Sequence, residues 1–200
     1  FLPHLLGSYE RELHPTIEAL CARPWKRIVN VGGGNGFYIV GFGRRVPGAE
    51  LVVFELTAEA RVVIAATVAR NGLTARTRIL GVAEPADLDE ACKGPGPTLV
   101  VMDVEGAELE LTDPARVPAL RACTMLIETH DVLRAGCRDA IVARYGGSHT
   151  ITTIVPRERT LADFPAALAP ALARLMPSRC VESVQEWRGG PQEWLLLEPI

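Results

Sequence analysis

A histidine and four carboxylates stand at or just beyond the ends of two apolar runs. Asp103 closes TLVVMDV, with Glu105 two residues on, and CTMLIETHD ends in Glu128, His130 and Asp131. If the two runs are neighbouring strands of one sheet, these side chains meet on one rim. The chemistry such a set can do is proton transfer, because an imidazole titrates near neutral pH and can take the proton of a hydroxyl as its oxygen forms a new bond. His130 is therefore the candidate general base. Asp103 either orients it or the substrate, or holds part of a bound cofactor. Capping of a helix that starts near Glu105 is an equal use of Asp103, and plain hydrogen bonding at a strand end is the rival account of His130. A divalent ion is a further alternative: Asp103, Glu128, His130 and Asp131 offer suitable oxygen and nitrogen donors, and an ion there would acidify a bound hydroxyl. Alternation sets Glu128 and His130 on one face and turns Asp131 away, so a metal is left open and is not predicted.

A second constellation precedes the first. VNVGGGNGFY puts Gly32, Gly34 and Gly36 behind a β-branched run, at a strand-to-helix turn where a ligand approaches bare backbone. The dinucleotide fingerprint GxGxxG would need a sixth-place glycine, and the chain has Phe37 there. The pattern is GxGxG instead, which favours S-adenosylmethionine (SAM) over a dinucleotide and disfavours an NAD-dependent oxidoreductase. A tight strand-to-helix join needs glycines too, so the motif by itself is weak. Glu55 strengthens it. It ends the next strand about 20 residues on, where a carboxylate accepts hydrogen bonds from both hydroxyls of a ribose. Leu56 then offers an apolar surface to the adenine face, and backbone around Val82 and Ala83 meets its edge.

Elements that position these groups alternate along the chain. KRIVNVG, ELVVFEL, RTRIL, TLVVMDV, CTMLIET, HTITTIV and EWLLLE read as strands. Helices are expected over FYIVGFGRRV, over TAEARVVIAATVARNG with Thr57 as cap and Asn71-Gly72 as stop, from about 132 to 145, and from about 162 to 175. Glu84 to Lys93 reads as a polar stretch. Ser8 to Ala22 is an amphipathic helix or pair of turns, with Ser8 as a possible cap and Pro15 as an interruption. Alternation of this kind means an α/β, Rossmann-like doubly wound and mainly parallel sheet, with TLVVMDV at its centre. The last two strands have only a short helix and a polar loop between them, which allows one of them to run antiparallel. Residues 1–25 form a helical segment that can cover the site as a lid, and 26–200 form the single main domain.

Composition bounds the partners. The 200 residues carry a net charge of −3, which gives no sequence-wide cationic field, so nucleic acid is not expected. Five cysteines without a CxxC argue against a disulfide framework or zinc ribbon and suit a reducing cytoplasm. No apolar run approaches the roughly 20 residues of a membrane span, and no leader opens the sequence. Glu108 and Glu110 read as a solvated helix face or as partners of a helix dipole, Arg157 and Arg159 as solvated charges beside Glu158, and His4, His14 and His149 as lacking ligand spacing.

VNVGGGNGFY, VVFEL, LVVMDVEGAELELTDP and LIETHD together resemble the class I SAM-dependent methyltransferases, and DVEGAE resembles their FkbM-type branch. The resemblance covers roughly residues 28–131. It implies a seven-stranded sheet with an antiparallel C-terminal strand, SAM as cofactor, and a hydroxyl of a sugar or natural product as methyl acceptor. It also puts Asn30 where many members carry an acidic residue near the cofactor's amino group. An amide there still hydrogen-bonds but brings no charge, which keeps alive a second function class: a SAM- or nucleotide-binding module without catalysis, acting in assembly or regulation. Nothing in the sequence bears on oligomeric state.

Overall fold

Seven aliphatic runs form one sheet: β1 Arg27–Val31, β2 Glu50–Phe54, β3 Thr77–Leu80, β4 Thr98–Met102, β5 Thr124–Thr129, β6 His149–Ile154 and β7 Glu193–Pro199. They lie in the order β3-β2-β1-β4-β5-β7-β6. The first five pair in parallel, and β7 runs antiparallel to both β5 and β6. The computed structural model describes residues 1–187, 190 and 192–200. β4 is buried at every position and stands mid-sheet, as its unbroken run of aliphatic side chains predicts. Order reverses between β1 and β4, and there the crevice beyond the strands' carboxyl ends opens.

Nine α-helices flank the sheet among the described residues: α1 Leu2–Leu6, α2 His14–Cys21, α3 Phe37–Arg45, α4 Ala58–Arg70, α5 Pro85–Cys92, α6 Glu108–Leu111, α7 Cys137–Tyr145, α8 Pro170–Leu175 and α9 Pro177–Val184. Alternating strand residues feed two cores. Ile28, Leu51, Val53, Leu99 and Val101 pack with Leu13, Leu20, Ile39 and Ile64 on one face, while Val29, Val52, Val100 and Met125 pack with Leu88, Leu120 and Ile141 on the other. Thr57 caps α4 by accepting from Ala60 N–H at 3.3 Å, and Gly72 (φ +69°) follows its end, both as expected. No helix among the described residues is long and apolar enough to cross a membrane.

Several expectations change. The polar stretch from 84 contains α5, whose Leu88, Ala91 and Cys92 reach the core through a narrow apolar stripe. The helix expected from 132 begins only at Cys137, because Asp131 accepts from Gly136 N–H and Arg138 N–H and shapes a loop first. Residues 162–175 divide into a 3₁₀ turn, Leu161–Asp163, and α8, with Pro165 between them and Pro170 opening α8, and α9 follows. Before α2 lies a 3₁₀ turn, Arg11–Leu13, and Ser8 caps nothing: it is buried and its Oγ lacks a partner.

Candidate active site

The glycine turn is bare for two different reasons. Gly32 (φ +83°) lies against the main chain of β4's exit, so that a Cβ would stand 1.7 Å from the Asp103 carbonyl oxygen. Its N–H and that of Gly33 both donate to Phe54 O at 3.0 Å, binding the turn to β2. Gly34 (φ +51°) is the opposite case, with no atom within 4 Å of where its Cβ would be. Only glycine meets both the left-handed backbone and the close approach. Glu55 fastens the outer part: Oε2 accepts from Gly34 N–H at 2.9 Å, and Oε1 accepts from Thr57 N–H at 2.8 Å and Thr57 Oγ1 at 3.2 Å.

A crevice of about 410 Å³ opens over this turn, lined by Gly32, Gly34, Glu55, Leu56, Val82, Ala83, Asp103 and Glu105 among others. Its rim leaves Leu56 71% and Val82 52% exposed, two apolar side chains without protein cover at the mouth. Two residues singled out with the turn do not line it. Asn30 is buried on the Ile28 side of β1, and its Nδ2 donates to Gly32 O and Val101 O at 3.3 Å each, leaving Oδ1 without a partner. Gly36 (φ +87°) starts α3 and closes the turn by donating to Gly33 O at 2.8 Å.

On the far side of Asp103 is a second chamber of about 460 Å³, walled by Phe1, His4, Tyr9, Glu128, His130 and Glu186, with Asp103 and Glu105 common to both. Strand alternation does bring Glu128 and His130 to one face: His130 Nε2 lies 3.6 Å from Glu128 Oε2 and 3.6 Å from Asp103 Oδ1. One ligand atom from each of Asp103, Glu128 and His130 falls within 4.8 Å of the others, a spacing a divalent cation can use. Asp131 is engaged in its loop, away from this group. Burial, and then the neighbouring carboxylate of Glu128, raise Asp103 to about 7. Burial lowers His130, but its hydrogen bond to Glu108 and the carboxylates of Glu108, Glu128 and Asp103 outweigh that and raise it above the ordinary histidine value.

Glu108 corrects the sequence reading. It is fully buried at the start of α6, and its Oε1 lies 2.6 Å from His130 Nδ1 while Oε2 accepts from Gly106 N–H at 2.9 Å. A four-residue helix is too short to show a periodic buried face, so nothing in the pattern separated Glu108 from Glu110, which is exposed near Arg134. Glu105 adopts φ +49° in the same turn, a backbone state that non-glycine residues seldom occupy. Asp103 caps no helix at Glu105, since α6 begins at Glu108. Arg157 is exposed as expected, but Arg159 is not a solvated charge. Arg157 binds Asp163 at 2.5 Å, and buried Arg159 bridges Glu12 (2.6 Å) and Glu186. His14 contacts Tyr9 O, His149 contacts Cys123 O, and His4 stacks on Phe37.

A doubly wound sheet in this order, with its seventh strand reversed and a glycine turn after the first, is the fold of the SAM-dependent methyltransferases. Three solved structures illustrate the likeness. The O-methyltransferase TomG from Streptomyces achromogenes, involved in tomaymycin synthesis and solved in complex with SAM, is 15% identical with a TM-score of 0.59, over 94% of this chain and 79% of that one. The O-methyltransferase from Bacillus cereus, in complex with SAH, is 11% identical with a TM-score of 0.57, over 97% and 91%. An rRNA methylase from Streptococcus thermophilus is 12% identical with a TM-score of 0.61, over 96% and 98%. The sequence matches no protein-family model and no curated protein. Such likeness establishes the fold, and the acceptor has to be argued from the site.

Proposed function

We propose that the chain is a SAM-dependent methyltransferase acting on an oxygen of a small molecule. One observation carries the proposal: the glycine-lined crevice and the chamber containing His130 adjoin, sharing Asp103 and Glu105. The crevice suits the cofactor. Its volume lies within the roughly 300–1,000 Å³ of ligand pockets, Gly34 leaves room for close approach, and Leu56 and Val82 offer apolar cover for an adenine, with Ala83 beside them. A carboxylate has about four lone-pair positions, and the protein's own donors to Glu55 are Gly34 N–H, Thr57 N–H and Thr57 Oγ1. One ribose hydroxyl therefore fits directly, and a second takes the place of the Thr57 hydroxyl. Bound there, the cofactor supplies an electrophilic methyl group. Asn30 shapes the turn from behind through its bonds to main-chain carbonyls.

The rest falls to the chain's own residues. Asp103 and Glu105 stand at the passage between the chambers and orient the acceptor, His130 receives its proton at Nε2, and Phe1, His4 and Tyr9 exclude water from above. Residues 1–25 act in this reading as a lid. A chamber of about 460 Å³ supports a small acceptor, and the DVEGAE turn supports the FkbM-type branch, in which sugar and natural-product hydroxyls are acceptors. The test is calorimetry with SAM, its demethylated product and NAD. Heat with the first two and none with NAD is expected, whereas a folded protein giving no heat with either SAM or the product rejects the proposal. A mass-spectrometric search of cell extract supplied with labelled SAM then identifies the acceptor.

A further inference from the structure

We infer, on the reading that His130 takes the acceptor's proton, that Glu108 is the positioning residue of this site: it fixes the neutral imidazole as the Nδ1–H tautomer and so leaves the Nε2 lone pair facing the acceptor chamber. A neutral imidazole has one N–H, and carboxylates stand on both sides of this ring. Asp103 and Glu128 face Nε2 at 3.6 Å, beyond hydrogen-bond range, and Glu108 faces Nδ1 at 2.6 Å, well within it. The proton goes to the closer acceptor. Glu108 is itself held, because its other oxygen accepts from Gly106 N–H at 2.9 Å and the Cys137 thiol lies 3.9 Å from that oxygen. The imidazole is held as well: His130 O accepts from Leu133 N–H at 2.9 Å and Arg134 N–H at 2.8 Å, which fixes the backbone from which the ring projects.

Without Glu108 the preference reverses. The ring proton would move to Nε2, directed at Asp103 and Glu128, and the nitrogen in the chamber would become a donor unable to accept anything. With Glu108 in place, proton transfer breaks the acceptor's O–H bond and forms N–H at Nε2. The positive charge gained by the ring is then balanced across the Nδ1–H bond to a buried carboxylate, the arrangement in which such a pair is strongest.

Ring-¹⁵N-histidine labelling tests this in protein without cofactor or acceptor, at about pH 10, where the imidazole is neutral. Loss of one signal set in His130→Asn assigns the ring among the four histidines. Wild type should show a pyrrole-type Nδ1 and a pyridine-type Nε2, Glu108→Ala should invert the two, and Glu108→Gln, whose amide oxygen can still accept, should restore the wild-type pattern. If the alanine variant does not fold, Glu108→Asp, shorter by one methylene, should give a mixture. An Nε2–H ring in wild type, or an unchanged pattern in Glu108→Ala or Glu108→Asp, overturns the inference. In turnover, Glu108→Ala should lower kcat about 100-fold or more with KM for SAM little changed. A drop confined to KM counts against positioning. The expected nitrogen pattern together with undiminished transfer by His130→Asn would instead reject His130 as the base and leave the tautomer assignment standing.

Discussion

Glu55 has one task in the structure and a second in the proposed function. It ties Gly34 and Thr57 together in the free protein, and the proposal gives it the ribose as well. Glu55→Ala would expose both tasks at once, whereas Glu55→Gln keeps an acceptor for one of the two amides and removes the charge. Charge-assisted hydrogen bonds contribute about 1.5–3 kcal/mol, so Glu55→Gln should weaken SAM binding roughly 10- to 100-fold by calorimetry, with the circular dichroism spectrum unchanged. Equal affinity would dismiss the ribose assignment. At the other rim, Asp103, Glu128 and His130 act on one another directly, and their titration belongs to the group. In the proposed mechanism transfer requires a neutral His130, so the rate should fall as pH drops through a pKa raised above the ordinary histidine value. Because the Glu128 carboxylate raises both partners, Glu128→Gln should move the acid limb of kcat/KM to lower pH. A limb that moves upward, or stays, contradicts this electrostatic account. The meeting of His130 and Asp103 on one rim is legible in the sequence from strand ends and residue type. Glu108 is not, because its significance comes from a contact across 22 positions that no local pattern encodes.

Among the elements, the strands are the most legible, since each is rich in β-branched or aliphatic residues and those of β1, β2, β4 and β5 are buried on both faces. Helices short in length or broken by proline were misread. α5 and α9 contribute only a few core residues each, and residues 162–175 divide at prolines whose effect depends on where the chain must turn. The turn after β1 shows how tightly elements are joined. Gly32→Ala would drive a Cβ to 1.7 Å from the Asp103 carbonyl while imposing a side chain on φ +83°. The contact is with backbone, so the join between β1 and β4 has to open. The variant should lose both thermal stability, by several degrees or more for a chain of this size, and all SAM binding. Gly34→Ala meets no atom and is strained only by its φ of +51°, so it should be the milder change in a melting experiment. Comparable melting temperatures for the two would refute this ranking.

Across the whole molecule, the ends of the chain are linked through charge. Arg159 is buried between Glu12, in the turn before α2, and Glu186, after α9, and Glu10 N–H donates to Glu186 at 3.0 Å. Local sequence predicts a solvated charge at Arg159 because its partners lie 147 and 27 positions away, a distance no spacing rule reaches. Removing the arginine leaves two buried carboxylates facing one another. Arg159→Ala should therefore cost about 3–5 kcal/mol, and amide exchange should accelerate first at Glu10 and Leu13, whose N–H groups bond within this junction. Exchange there at the wild-type rate would show that the N-terminal segment is held by its apolar contacts through Leu13 and Leu20 alone.

The reversed strand carries a consequence for biosynthesis. Residues 193–199 are inserted between β5 and β6, yet they are translated after every other strand. Until the ribosome releases them, β5 shows an unpaired hydrogen-bonding edge and β6 lacks its one strand partner among the described residues, so a nascent chain arrested before Glu193 is a five-stranded intermediate with a sticky margin. Chaperone capture during translation would be concentrated in that interval and would end when the last strand slots home.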